Sequence, residues 1–124
     1  MSCTEHRRLA SVQDMTPWLE QLVACIKGLG YKVVQNDPFL DVAGRVLHEH
    51  KEVRTNNNCA VCEILVLAHE AGHILHAIDE GETTKRLGYV EECALIYGWQ
   101  ILVEIGAPIT LDVWLHDHEM RAPA

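Results

Sequence analysis

A chain of 124 residues has the size of one domain, since single domains commonly run to about 100–150 residues. With 48% hydrophobic and 23% charged residues it can build a packed core, which excludes wholesale disorder. A formal net charge of −8 repels phosphate backbones, and Arg7-Arg8 is too short a basic run to offset it, so no nucleic-acid partner is expected.

In chain order, residues 1–14 are polar and weakly patterned, and they lack the apolar segment of a signal peptide. A loosely packed start is expected there. Thr16-Pro17 reads as a helix start, with Thr16 as N-cap and Pro17 at the first helical position. Trp18, Leu19, Leu22, Val23 and Ile26 follow at helical spacing, and Gly28 and Gly30 end the helix. The β-branched and aromatic stretch 31–34 reads as a strand, and Asn36-Asp37-Pro38 as a turn. Looser alternation then predicts two short antiparallel strands, near 39–47 and 50–54, with Gly44 as a bulge or turn.

Asn56-Asn57-Asn58 offers good N-cap residues for a long helix over about 59–79. Val61, Ile64, Leu65, Ala68, Ile74 and Leu75 form its stripe, widened by Val66 and Leu67 into the pattern of a heavily buried helix. Glu80-Gly81-Glu82 breaks it. Another helix is predicted from 87 or 90 to 104, stopped by Gly106 and Pro108, and a last short one follows Thr110. Helix, small sheet and three further helices make an α+β chain. The longest strictly apolar runs, 64–68 and 94–97, fall far short of the roughly 20 residues of a membrane span. Cys3, Cys25, Cys59, Cys62 and Cys93 are odd in number, which favours free thiols in a reducing cytoplasm.

The long helix carries His69-Glu70-Ala71-Gly72-His73, an HExxH. Residues four apart lie one turn above each other on one face, so His69 and His73 can aim two imidazoles at one ion. Zn²⁺ takes imidazole nitrogens at about 2.0–2.1 Å. Glu70, one position along, can reach a water activated by that ion and act as general base. Gly72 in the helix interior costs about 1 kcal/mol relative to Ala and therefore needs a packing or functional reason. A catalytic zinc needs a third protein ligand. His76 lies too far along the axis to join the same tetrahedron. Glu91 and Glu92, on the next helix, are both candidates, and a 100° step per residue allows only one of them to face the ion.

The weaker signals have plainer readings. Cys59-Ala60-Val61-Cys62 is a CxxC that reads as two semi-buried thiols beside the metal helix, with a redox pair or half a zinc site as alternatives. His116-Asp117-His118-Glu119 reads most simply as a solvated helix end, with a tail over the cleft as the alternative. Trp18, Trp99 and Trp114 read as core or interface residues.

The run Ile64-Leu65-Val66-Leu67-Ala68-His69-Glu70-Ala71-Gly72-His73-Ile74-Leu75 resembles the active-site helix of gluzincin peptidases, in particular the small ImmA/IrrE-type enzymes. In that group the third ligand is a Glu three residues before an Ala. Glu91-Glu92-Cys93-Ala94 matches through Glu91 and Ala94, so the resemblance implies Glu91. Tyr97, Gly98, Ile101 and Leu102 fall where the family has aromatic, small and aliphatic residues. The likeness covers about 58–103. Cys93 and Leu95 depart from it, standing where the family has a second Glu and an Asn or Asp.

The resemblance implies one minimal zincin-like domain over 1–124, similar in size to the proteins called minigluzincins. Its expected elements are an N-terminal helix, a small antiparallel or mixed sheet, the active-site helix and C-terminal helices. It implies a zinc metallopeptidase that hydrolyses peptide bonds of a restricted intracellular protein target, from a phage or other mobile element, while charge and the short apolar runs leave neither a membrane nor a nucleic-acid partner expected. A zincin would lay its peptide beside an edge strand, assigned here to 51–54. Many such enzymes add a His or Tyr donor for the oxyanion; His48, His50, Tyr89 and Tyr97 are the candidates, none selected by the sequence, and each reads more simply as a surface or packing residue. The alternative is a catalytically silent zincin scaffold that holds metal and acts as a protein-interaction module.

Overall fold

The computed structural model of the chain describes residues 14–81 and 87–120, Leu87 without its side chain. Cys3, Arg7-Arg8, Glu82 and nearly all of the expected loose start lie outside the described residues.

Helix α1 (Thr16–Gly28) buries Leu22 and Ile26, one turn apart. Its first turn is capped differently from the sequence expectation. Thr16 is already helical, and its N–H donates to Asp14 Oδ1 at 3.0 Å. Strand β1 (Lys32–Val34) follows. The expected strand over 39–47 begins only at Gly44, because Asp37 holds the chain in a turn. Its Oδ1 accepts from Phe39 N at 3.0 Å and its carbonyl from Leu40 N at 3.2 Å. Strand β2 (Gly44–Leu47), a 3₁₀ turn (His48–His50) and strand β3 (Glu52–Thr55) complete the sheet, with Lys51 left-handed at φ 51°.

The strand order is β1-β3-β2. β3 pairs parallel to β1 (Val33 opposite Val53) and antiparallel to β2 (Val46 opposite Val53). This corrects the edge-strand assignment. The 51–54 segment lies in the centre of the sheet, and β1 and β2 are its edges. A parallel partner from about twenty residues upstream takes the second side of β3, and local alternation carries no trace of that pairing.

Helix α2 (Ala60–Glu80) starts at Cys59, whose Sγ accepts from Cys62 N at 3.4 Å. The three asparagines expected to cap it do otherwise. Asn57 Nδ2 bonds Ala43 O at 3.0 Å and Glu63 Oε1 at 2.8 Å. Every residue from Val61 to Gly72 is buried, so this stretch of the helix is covered on all sides. It has the length and hydropathy of a membrane span, and 78% of that stretch is buried inside the fold.

Helix α3 (Leu87–Ile105) runs back along α2. Their contact is backbone to backbone. A Cβ on Gly72 would lie 2.3 Å from Ala94 O, and one on Gly98 would lie 2.7 Å from Ala68 O. Gly106, at φ 71°, turns the chain into helix α4 (Leu111–Met120). Trp114 anchors α4 on α3: its ring is buried and its Nε1 donates to Leu95 O at 3.1 Å. Four helices and a small mixed sheet make the described chain α+β, as the element order predicts.

Candidate metal centre

The site is built where α2 faces α3 beneath the edge of the sheet. His69 and His73 lie one turn apart on α2, with their Nε2 atoms 3.1 Å from each other. Glu91 enters from α3. Its Oε2 lies 3.0 Å from His69 Nε2 and its Oε1 lies 3.2 Å from His73 Nε2. Glu92 is exposed and points elsewhere, so of the adjacent pair Glu91 joins the histidines. His69, His73 and Glu91 can hold a metal ion.

The spacing tests the fit. Ligand atoms about 2.0–2.1 Å from a tetrahedral ion stand about 3.3–3.4 Å from one another. The three observed separations are 3.0, 3.1 and 3.2 Å, within a few tenths of that edge. Two imidazoles and one carboxylate also make a mixed nitrogen and oxygen set suited to Zn²⁺.

Electrostatics favour a cation at this point. Burial opposes ionisation of Glu91, but hydrogen bonds to His69 and His73 outweigh it and hold the carboxyl well below the usual range. Burial likewise disfavours a charged His73, but its hydrogen bond to Glu91 and the carboxylates of Glu70 and Glu91 raise its pKa above the ordinary 6.5.

A cleft of about 380 Å³ opens over the three residues. Val42, Gly44, Arg45 and Val46 line it from the sheet side, and Val90 and Glu91 from α3. His69, Glu70 and His73 form its α2 wall. Gly44 matters to this arrangement. A Cβ there would fall 2.3 Å from Val66 Cγ1 and 3.3 Å from Glu70 Cγ, so only glycine lets β2 lie this close to Glu70. Sequence reading took Gly44 for a bulge or turn and missed this packing role.

The four candidate oxyanion donors separate cleanly. His48 lines the cleft, and its Nδ1 is 2.9 Å from the Tyr31 hydroxyl. His50 lines a different hollow beside the 3₁₀ turn. Tyr89 bonds Glu80 at 2.8 Å, and Tyr97 is bound to Asp79, which pushes its hydroxyl pKa up to about 12. Both tyrosines flank His76, outside the set that lines the cleft.

Two readings of the sequence need revision. The last turns of α4 are not the solvated helix end expected, although Glu119 and Met120 are exposed. Asp117 is buried, and the His118 ring centroid is 6.3 Å from that of His69. Val113 and Trp114 are buried on α4, and Asp117 lies one turn beyond them on the same face. Glu63 was overlooked because it sits within an apolar run. It is buried, and its carboxylate accepts from Thr55 Oγ1 (2.6 Å), Gln35 Nε2 (2.7 Å) and Asn57 Nδ2 (2.8 Å). This fully partnered group ties the start of α2 to the sheet. Cys59 and Cys62 pack together, Sγ to Sγ 2.9 Å, as free thiols at the start of the helix.

Compared with known proteins, the chain matches no family model, no curated protein and no solved structure.

Proposed function

We propose that this chain is a zinc-dependent metallopeptidase of the gluzincin kind, similar to the ImmA/IrrE-type enzymes and acting on a restricted intracellular protein target. The observation that carries the reading is the convergence of His69 Nε2, His73 Nε2 and the Glu91 carboxylate at the floor of a cleft that Glu70 also lines. A purely structural site has no use for a carboxylate at Glu70.

His69, His73 and Glu91 would hold the ion. When bound, Zn²⁺ supplies Lewis acidity, which polarises a carbonyl and makes water a nucleophile near neutral pH. Glu70 takes the proton from the attacking water and passes it to the departing amine. His48 stands across the cleft, its ring fixed by Tyr31. When Tyr31 donates to Nδ1, the proton of the neutral ring sits on Nε2, ready to bond the developing oxyanion.

The substrate would lie extended along β2, the sheet edge that borders the cleft, in place of the central strand β3. Main-chain pairing to an edge reads alternate peptide groups. N-methylation at successive bonds of a cleaved peptide is therefore expected to lower kcat/KM at alternate positions only. A uniform effect, or none, would remove β2 from the substrate site.

The test of the reading itself is elemental analysis of the purified protein together with cleavage of a mixed peptide library read by mass spectrometry. His73→Ala and Glu91→Ala are each expected to lose one equivalent of zinc relative to wild type and all cleavage. Glu92→Ala is expected to keep both. Zinc retained in Glu91→Ala, or cleavage without zinc, would overturn the assignment.

A further inference from the structure

We propose that the chain holds a second metal ion at His76, Glu80 and Cys93, one helical turn beyond the first site. The donor atoms of these three residues lie within 4.8 Å of one another. His76 Nε2 is 3.0 Å from Glu80 Oε2, and Cys93 Sγ is 4.0 Å from that same oxygen. For a tetrahedral zinc with about 2.0–2.1 Å to nitrogen or oxygen and 2.3 Å to sulfur, these edges are about 3.3 and 3.6 Å. The carboxylate edges therefore need shifts of only a few tenths of an ångström.

A second observation, independent of the clustering, points to a ligand. The His76 side chain is buried, and its Nε2 has no hydrogen-bond partner among the described residues. Glu80 Oε2 is near enough for a bond, yet the two groups do not align as one. A buried ring nitrogen is costly to leave without a partner, and an ion between it and Oε2 supplies one.

The surroundings hold the donors ready. Tyr97 stacks on the His76 ring (centroids 6.3 Å apart, planes 26° apart), and Tyr89 meets it edge-on at 5.7 Å. The Tyr89 hydroxyl donates to Glu80 Oε1 at 2.8 Å, which leaves Oε2 turned toward His76 and Cys93. Metal ligands are commonly oriented by such outer bonds. The design repeats that of the first site: two residues four apart on α2, and a third from α3. The ion would be a borderline divalent cation of the zinc type, bound with loss of the Cys93 thiol proton and with its fourth position left to water. It would clip the C-terminal end of α2 to the first turns of α3.

The donor sets differ in one readable way, because only the second contains sulfur. The metal-stripped full chain is titrated with Co²⁺ and followed by absorbance. Two equivalents are expected, one of them giving a thiolate-to-cobalt charge-transfer band in the near ultraviolet. Cys93→Ser and His76→Ala should each abolish the band and one equivalent. His73→Ala should remove the other equivalent and leave the band. His76 is buried, so Cys93→Ser, a half-buried and near-isosteric change, guards against mere unfolding, with far-ultraviolet circular dichroism as a check. A single equivalent without the band, or a band that survives Cys93→Ser, would overturn the second site. Loss of both equivalents in His73→Ala would overturn its independence. Two equivalents retained in His73→Ala, with the band still present, would count against the first site alone.

Discussion

Glu70→Gln is expected to lower peptide hydrolysis by about 10²–10⁴-fold while leaving the metal content unchanged. The substitution keeps the size and shape of the side chain and removes its negative charge and its ability to accept and carry a proton. Glu70 is buried against β2 and lines the cleft, but it is not one of the three converging ligands. Its loss should therefore appear in kcat, not in zinc occupancy. His48→Phe, on the opposite wall, is expected to lower kcat by about 10²-fold with KM little changed, because an oxyanion donor acts mainly in the transition state. Steady-state kinetics on the peptides found by library cleavage, with zinc measured in the same samples, checks both. A Glu70→Gln protein that cleaves as wild type does would sink the mechanism. Zinc binding without hydrolysis in the wild type would leave the alternative, a metal-holding scaffold that acts by contact.

The site was legible in the sequence because it obeys helical arithmetic. His69 and His73 are four apart, and the structure sets their Nε2 atoms 3.1 Å from each other. Helix periodicity left Glu91 and Glu92 open. Only the family resemblance selected Glu91, and the structure turns that residue toward the histidines. The order of elements was also readable, since each helix carries its own stop signal, as Gly106 does at φ 71°.

What escaped depends on partners far away in the chain. β3 became central because β1, about twenty residues upstream, pairs with it in parallel. Nothing within 50–55 encodes that neighbour. Glu63 looked like an intrusion in an apolar run until Thr55, Gln35 and Asn57 were brought around it. His76 read as a residue excluded from the first tetrahedron, which the structure bears out. That it meets Glu80 and Cys93 follows from how α2 and α3 pack, and neither helix states this alone.

That packing hangs on Gly72. Gly72→Ala is expected to destabilise the metal-free chain by about 1–3 kcal/mol, the usual range for overpacking, despite the roughly 1 kcal/mol by which Ala favours a helix. The added Cβ would stand 2.3 Å from Ala94 O and 2.9 Å from Gly98 N. Both are backbone atoms of α3, which cannot turn aside as a side chain would, so the whole helix must retreat. Glu91 rides on α3, one turn before Ala94, and would withdraw from His69 and His73. Zinc affinity is then expected to fall about 10–100-fold, the scale seen when the support of a metal ligand is disturbed. Gly88→Ala makes the contrast. A Cβ at Gly88, on the same helix, meets nothing within 4 Å among the described residues. There the same change is expected to stabilise by about 0.5–1 kcal/mol. Urea unfolding of the two metal-free variants, beside zinc titration of each, separates collision from propensity. Equal gains in stability from both would mean that α2 and α3 do not meet through their glycines, and the third ligand would lose its geometric basis.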